Sequence, residues 1–130
     1  TARDSVLTKA IENNIGIQVM FAVRKALSLP EFLSEIVKEL IDAGQIDAGD
    51  LDDQDRPLDF LVHDNGAVSV PDAAYRFCRH ESGTHVILSG TGNLTHLAEN
   101  IESLGRSELP RANIDRLKHI FRNVDSVTGQ

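Results

Sequence analysis

Cysteine occurs once in this 130-residue chain, at Cys78, so no internal disulfide can hold the fold. Set in an apolar helical stripe, it reads as a buried thiol rather than a nucleophile. No apolar run approaches the roughly eighteen residues of a membrane span, and no secretory signal pattern is visible. Basic blocks are missing too. With a net charge of -7 and no cationic stretch to offset it, nucleic acid and anionic membranes are poor partners. The histidines, His63, His80, His85, His96 and His119, show no metal-binding spacing. No Ser-His-Asp or Cys-His arrangement suggests a nucleophile, and internal repeats, low-complexity tracts and interdomain linkers are lacking. A cytoplasmic location is the expectation.

What is present is a globular balance, 41% hydrophobic and 25% charged residues. The chain is long enough for one domain with its own core and too short for an eight-stranded barrel, which takes about 250 residues. It begins at Thr1, without methionine and within a helical pattern, which suggests a piece of a longer polypeptide. Residues 125–130 read as a polar, disordered tail.

In chain order, Val6, Leu7, Ala10 and Ile11 recur at helical spacing after a candidate N-cap, Asp4, and Asn13, Asn14 and Gly16 close the segment. The run Ile17 to Val23 reads as a central parallel strand. Ser28-Leu29-Pro30-Glu31 has the form of a capping box with proline in the first turn. The apolar stripe Phe32, Leu33, Ile36, Val37, Leu40 and Ile41 follows, stopped at Gly44. Asp47, Asp50, Asp52, Asp53 and Asp55 mark a solvated loop. The alternation of Asp50 and Asp52 is that of a calcium loop, but Asp55 stands where its glycine belongs and no glutamate occupies the twelfth position. Leu58, Leu61 and Val62 are the inward residues of a short helix broken at Asn65-Gly66. A further helix starts at Ser69, with Val70, Ala73, Ala74, Phe77 and Cys78 inward and Arg76 and Arg79 outward. After Leu109-Pro110, the last helix sets Ile114, Leu117, Ile120 and Phe121 on one face.

Between these helices lies His85 to Asn100, which packs the most information into the fewest residues. Val86, Ile87 and Leu88 suit a strand covered on both faces. Gly90 and Gly92 free the backbone for a tight turn and leave main-chain N–H groups unobstructed. Asn93 is a good N-cap, and Leu94, Leu97, Ala98, Ile101 and Leu104 follow at helical spacing. A strand that feeds a glycine loop and a helix N-terminus gathers amides and the positive end of the helix dipole at one spot, which suits an anion. Spacing alone leaves open the simpler reading, that the glycines only turn the chain.

The string Leu88-Ser89-Gly90-Thr91-Gly92-Asn93, followed by His96-Leu97 and Glu99-Asn100, resembles the C-terminal cofactor signature of the aldo/keto reductases. Ala74-Tyr75-Arg76-Phe77, ahead of Val86-Ile87-Leu88, is similar to the Ala-x-Arg-[Phe/Trp] helix that precedes their last strand. The resemblance is close over residues 69–104 and loose over 1–68. It implies an α/β fold forming part of a (β/α)8 TIM barrel, with two parallel strands, the seventh and eighth, and amphipathic helices between and after them. Residues 1–130 would then be the C-terminal segment of such a barrel, able to self-associate or pair with its missing half.

The resemblance further implies a site for NADP or NAD. Gly90, Thr91, Gly92 and Asn93 fall on the phosphate-and-ribose loop, and Glu99 and Asn100 on the pair that meets the ribose and adenine edge. His96 stands where many NADPH-preferring members carry arginine, and Gly90 replaces a lysine seen in some. Ala22, Val23 and Arg24 replace the aromatic-Ser-Pro turn common after the seventh strand; Arg24 either meets a pyrophosphate or simply ends a strand in solvent. The family's catalytic Asp, Tyr, Lys and His come from upstream, so no catalytic residue is assigned here. Tyr75, the only tyrosine, sits on a helix rather than at a strand's C-terminal end. The implied function is cofactor binding for hydride transfer between nicotinamide and a small carbonyl or alcohol. The alternatives are a non-catalytic nucleotide-binding or protein-interaction module, or an acidic scaffold that holds a divalent ion or basic partner at residues 47–55.

Overall fold

The structure, a computed structural model, describes residues 3–125; of the expected tail, residues 126–130 lie outside the described residues. A π-helical turn, Arg3–Leu7, runs into α1 (Thr8–Glu12), then β1 (Gln18–Val19), α2 (Lys25–Ser28) and α3 (Pro30–Asp42). Two 3-10 turns, Ala48–Asp50 and Asp59–Leu61, precede α4 (Val70–Arg79), β2 (Val86–Ile87), α5 (Leu94–Gly105) and α6 (Arg111–Ile120). The strands are parallel, with Gln18 opposite Val86 and Val19 opposite Ile87. The chain is thus a mostly helical α/β protein whose two-stranded parallel sheet is not closed into a barrel. No helix of the described residues is long and apolar enough to cross a membrane.

The core is helical. Leu33, Val37 and Leu40 of α3 meet Ile46, Leu58, Leu61 and Ala67 from the connecting segment, Ala73 of α4, and Leu109, Ile114 and Ile120 at α6. Leu117 and Phe121 pack on its margin, completing the expected face of the last helix. A fully buried leucine, isoleucine or valine contributes about 1.5–3 kcal/mol, so this cluster carries most of the apolar stabilisation. Local signals fix several ends. Gly44, at φ 71°, closes α3 in the left-handed conformation, with its amide on the Ile41 carbonyl and that of Gln45 on Leu40. The Ser69 hydroxyl accepts from the Asp72 amide at 3.2 Å and caps α4.

Other expectations are corrected. The strand from Ile17 shrinks to two residues because the chain turns at Phe21, at φ 60°, leaving Met20 and Phe21 exposed and returning Ala22 to the interior. Val86 and Leu88 are also exposed, since a two-stranded sheet offers no layer to cover its second face. Leu94 and Ile101 of α5 point to solvent for the same reason, and only Ser103 of that helix is buried. Ser28 closes α2 instead of capping α3, whose N-cap is Leu29, so the capping box does not form. Asp4 lies inside the first turn rather than ahead of it. Val62 faces outward, because the segment around it is a single 3-10 turn and not a helix.

The most consequential correction concerns Arg76, which is buried rather than on the outer side of α4. Asp72, one turn earlier, is buried with it at 2% exposure. The Arg76 guanidinium donates to Asp72 at 3.2 Å and to the carbonyls of Gly66, Ser107 and Glu108. Arg106 donates to the second Asp72 oxygen at 2.8 Å, and the Val68 amide donates at 3.1 Å. Burial pushes the Asp72 carboxyl up, but its donors outweigh burial and hold it below its ordinary value. They are the Ser103 hydroxyl, also 2.9 Å from the Glu99 carbonyl, then Arg106, Val68 and Arg76.

Asp72→Ala therefore strands a buried guanidinium and is expected to cost about 3 kcal/mol in urea unfolding; Leu94→Gln, on an exposed site, should change stability by less than about 0.5 kcal/mol. The Asp72 contribution has a defined pH dependence. With its folded carboxyl below the unfolded value, the stabilisation is complete above about pH 4 and is lost as pH falls through the folded value. Urea unfolding midpoints of the wild type and Asp72→Asn, measured at a series of pH values, should converge as pH drops below that range.

Candidate functional site

The parallel pair delivers the chain to the site. The Val86 amide donates to the Ile17 carbonyl at 3.1 Å and that of Leu88 to Val19 at 2.9 Å, so the backbone is anchored up to Leu88. Ser89 follows at half burial. Its hydroxyl accepts from Asn100 Nδ2 at 3.0 Å and lies 3.0 Å from the hydroxyl of Tyr75, with either of those two able to donate. Tyr75 is buried on the side of α4 that faces β2. This three-residue clamp joins the strand end, the preceding helix and the middle of α5.

Gly90, Thr91 and Gly92 then lead to Asn93, whose Oδ1 accepts from the amides of Thr95 at 2.8 Å and His96 at 3.3 Å. The Asn93 amide in turn donates to Thr91 Oγ1 at 3.1 Å. The N-cap expectation is met, with the consequence that two of the first amides of α5 are already used by the protein itself. The amides of Gly90, Thr91, Gly92 and Leu94 donate to no group among the described residues and remain available to an anion. Neither Gly90 nor Gly92 adopts a positive φ, and a Cβ at either would meet nothing within 4 Å. Neither the backbone nor its surroundings therefore requires glycine at these positions, contrary to the backbone freedom that the tight-turn reading assigned to them.

Along α5, His96 and Glu99 are exposed, with side chains in no hydrogen bond or ion pair among the described residues. Asn100, one turn beyond His96, is half-buried, and its engaged Nδ2 leaves Oδ1 as the acceptor. Of the seven candidate residues, Gly90, Thr91, Gly92 and Asn93 form one continuous loop, Asn100 is tied to that loop through Ser89, and His96 and Glu99 line the first turns of the helix. Arg24 lies over the exposed ring of Phe21, 5.3 Å from its centroid, at the start of α2.

Because α5 buries so little apolar surface, polar contacts hold it. The Ser89 clamp fixes its middle. Arg106, just past its end, bridges Asp72 of α4 at 2.8 Å and Glu102 at 2.7 Å. Sequence reasoning missed Ser89 and the positioning role of Tyr75, although a tyrosine on an amphipathic helix needs a partner for its hydroxyl once buried. Among the described residues no group of His, Cys, Asp or Glu is arranged to hold a metal ion. In the acidic loop, Asp50 pairs with Arg122 and His119, Asp52 with Arg116, and Asp55 with Lys38. These three carboxylates are engaged by cations of the protein itself, while Asp47 and Asp53 accept from the Gly49 and Asp55 amides. The Arg122 guanidinium holds the Asp50 carboxyl below its ordinary value, aided by His119.

Two substitutions separate fold from function at this loop. Asn93→Ala removes the cap and should destabilise the chain by about 1 kcal/mol, with faster hydrogen exchange at the Thr95 and His96 amides. Gly92→Ala enters open space and should leave the thermal midpoint unchanged or slightly raised. Comparison of the chain with protein-family models, curated proteins and solved structures gave no significant match.

Proposed function

We propose that the segment from β2 through α5 binds the phosphate-bearing part of a nicotinamide dinucleotide, as the C-terminal part of an aldo/keto reductase-like NAD(P)-dependent oxidoreductase. The observation that carries this reading is the run of available amides at Gly90, Thr91, Gly92 and Leu94. It is held at a strand end and a capped helix start by the Ser89 hydrogen bond to Asn100. A phosphate accepts from several converging N–H donors and gains from the helix dipole. Thr91 would add a hydroxyl, Asn100 Oδ1 would accept from the base, and Glu99 would accept from ribose hydroxyls. His96 is the cationic candidate for a 2′-phosphate. When bound, the nicotinamide supplies the hydride chemistry on a small carbonyl or alcohol, and this chain's residues supply binding and orientation.

The same reading treats β1 and β2 as the seventh and eighth strands of a (β/α)8 barrel. In its favour are the parallel pairing, the helical connection between the strands, and the exposed apolar side chains Met20, Phe21, Val86, Leu88 and Leu94 around a sheet with unpaired edges. Further strands of the barrel would cover that surface. The exposed patch also favours a second reading, a non-catalytic nucleotide-binding or interaction module that presents it to a partner.

Titration of the chain with NADPH and NADH, by calorimetry, tests the site. Saturable binding of both is expected, tighter for NADPH, with Asn100→Ala weakening each about tenfold. Gly92→Val, which places a branched side chain before the amides, should weaken both comparably while the circular dichroism spectrum stays unchanged. No binding by the folded chain, or binding indifferent to both variants, would reject this site and leave the interaction module.

A further inference from the structure

On the far side of α4 from Tyr75 lies an open cleft of about 540 Å³ that takes no part in the loop at Gly90 to Asn93. Its volume falls within the range of about 300–1,000 Å³ occupied by small-molecule sites. Leu61, Phe77, Leu117 and Phe121 supply apolar walls from the second 3-10 turn, α4 and α6. The charged residues at its wall are Arg3, Lys118 and Arg122, and no acidic residue lines it. In a chain with 20 acidic and 13 basic residues, that local excess of cations is opposite in sign to the whole. Arg3 pairs with Glu81 at 2.6 Å and lies 5.5 Å from the Phe77 centroid, while Arg122 pairs with Asp50 at 2.8 Å. Lys118, exposed, makes no hydrogen bond or ion pair among the described residues, although Glu81 feels its charge.

An open apolar cleft with an exposed ammonium at its rim, near Glu81 but in no ion pair among the described residues, is complementary to one kind of molecule, an alkyl chain that ends in an anion. We infer that this cavity binds a free, single-chain carboxylate amphiphile, with the chain against Leu61, Phe77, Leu117 and Phe121 and the carboxylate at Lys118. A neutral or cationic chain of equal length would gain the apolar contacts and lose the charge match. The site is independent of the dinucleotide loop, so either assignment can fail without the other.

Cys78, the only cysteine, lines the cavity and reports on its occupancy. Calorimetric titration with decanoate below its aggregation concentration should give one site per chain, and saturation should slow alkylation of Cys78 by about tenfold. Decyltrimethylammonium and decanol are expected to bind more weakly. Lys118→Glu, at an exposed position that spares the fold, should weaken decanoate by about tenfold; Ala74→Phe, which fills the cleft from α4, should reduce decanoate and decanol together. Equal binding of all three amphiphiles, indifference to Lys118→Glu, binding without protection of Cys78, or binding only to decanoate-containing vesicles would each overturn the assignment.

Discussion

The Asp72 carboxylate is the point from which the arrangement of this protein follows. Buried almost completely on α4, it has to be matched by donors, and those donors come from separate parts of the chain: Arg76 on its own helix, the Val68 amide before it and Arg106 after α5. Arg76 extends the constraint to the carbonyls of Gly66, Ser107 and Glu108. One helix therefore fixes the turn that leads into it and the segment between α5 and α6. Such a network specifies geometry more than it adds net stability. The apolar cluster of α3, α4 and α6 supplies the driving force, and the polar network decides how the remaining helix is set against it.

Seen from α4, the molecule has two unlike sides. Ala73 and Phe77 turn toward the helical core and its cavity, whereas Tyr75 turns toward β2 and, through Ser89, toward α5. The glycine loop thus sits on the side with the least apolar burial, held by hydrogen bonds in place of packing. A loop held this way presents its amides without covering them. Exposed Val86, Leu88, Leu94 and Ile101 surround it, an apolar margin around a donor-rich turn.

Local chemistry was legible at several single residues, though not at Asp4 or Ser28. The caps at Ser69 and Asn93 and the glycine stop at Gly44 form as their side chains and backbone demand. The stripes of α3 and α6 find the core for which their periodicity prepares them. Burial was misread where it depended on partners distant in sequence. Val86 and Leu94 have the composition of core residues, and only the number of strands in the sheet decides that they are exposed. Arg76 has the composition of a surface residue, and only Asp72 with three carbonyls makes its burial tolerable. The candidate segment was read correctly as a short strand, a loop and a capped helix, but not as a strand covered on both faces or as a tight turn. The Ser89 clamp was not, because its partners Tyr75 and Asn100 lie fourteen residues before and eleven after it.

The acidic segment tied to α6 bears on how the chain is made. Asp50 meets His119 and Arg122 across 69 and 72 positions, and Asp52 meets Arg116. During synthesis from the N-terminus, Asp50 and Asp52 leave the ribosome long before Arg116, His119 and Arg122, whereas Lys38 already precedes its partner Asp55. Until α6 arrives Asp50 and Asp52 repel one another and keep that stretch extended and hydrated. Their late partners also come from the helix that supplies Ile114 and Ile120 to the core. Charge neutralisation and completion of the apolar cluster thus coincide when α6 joins, so this part of the chain consolidates in one step.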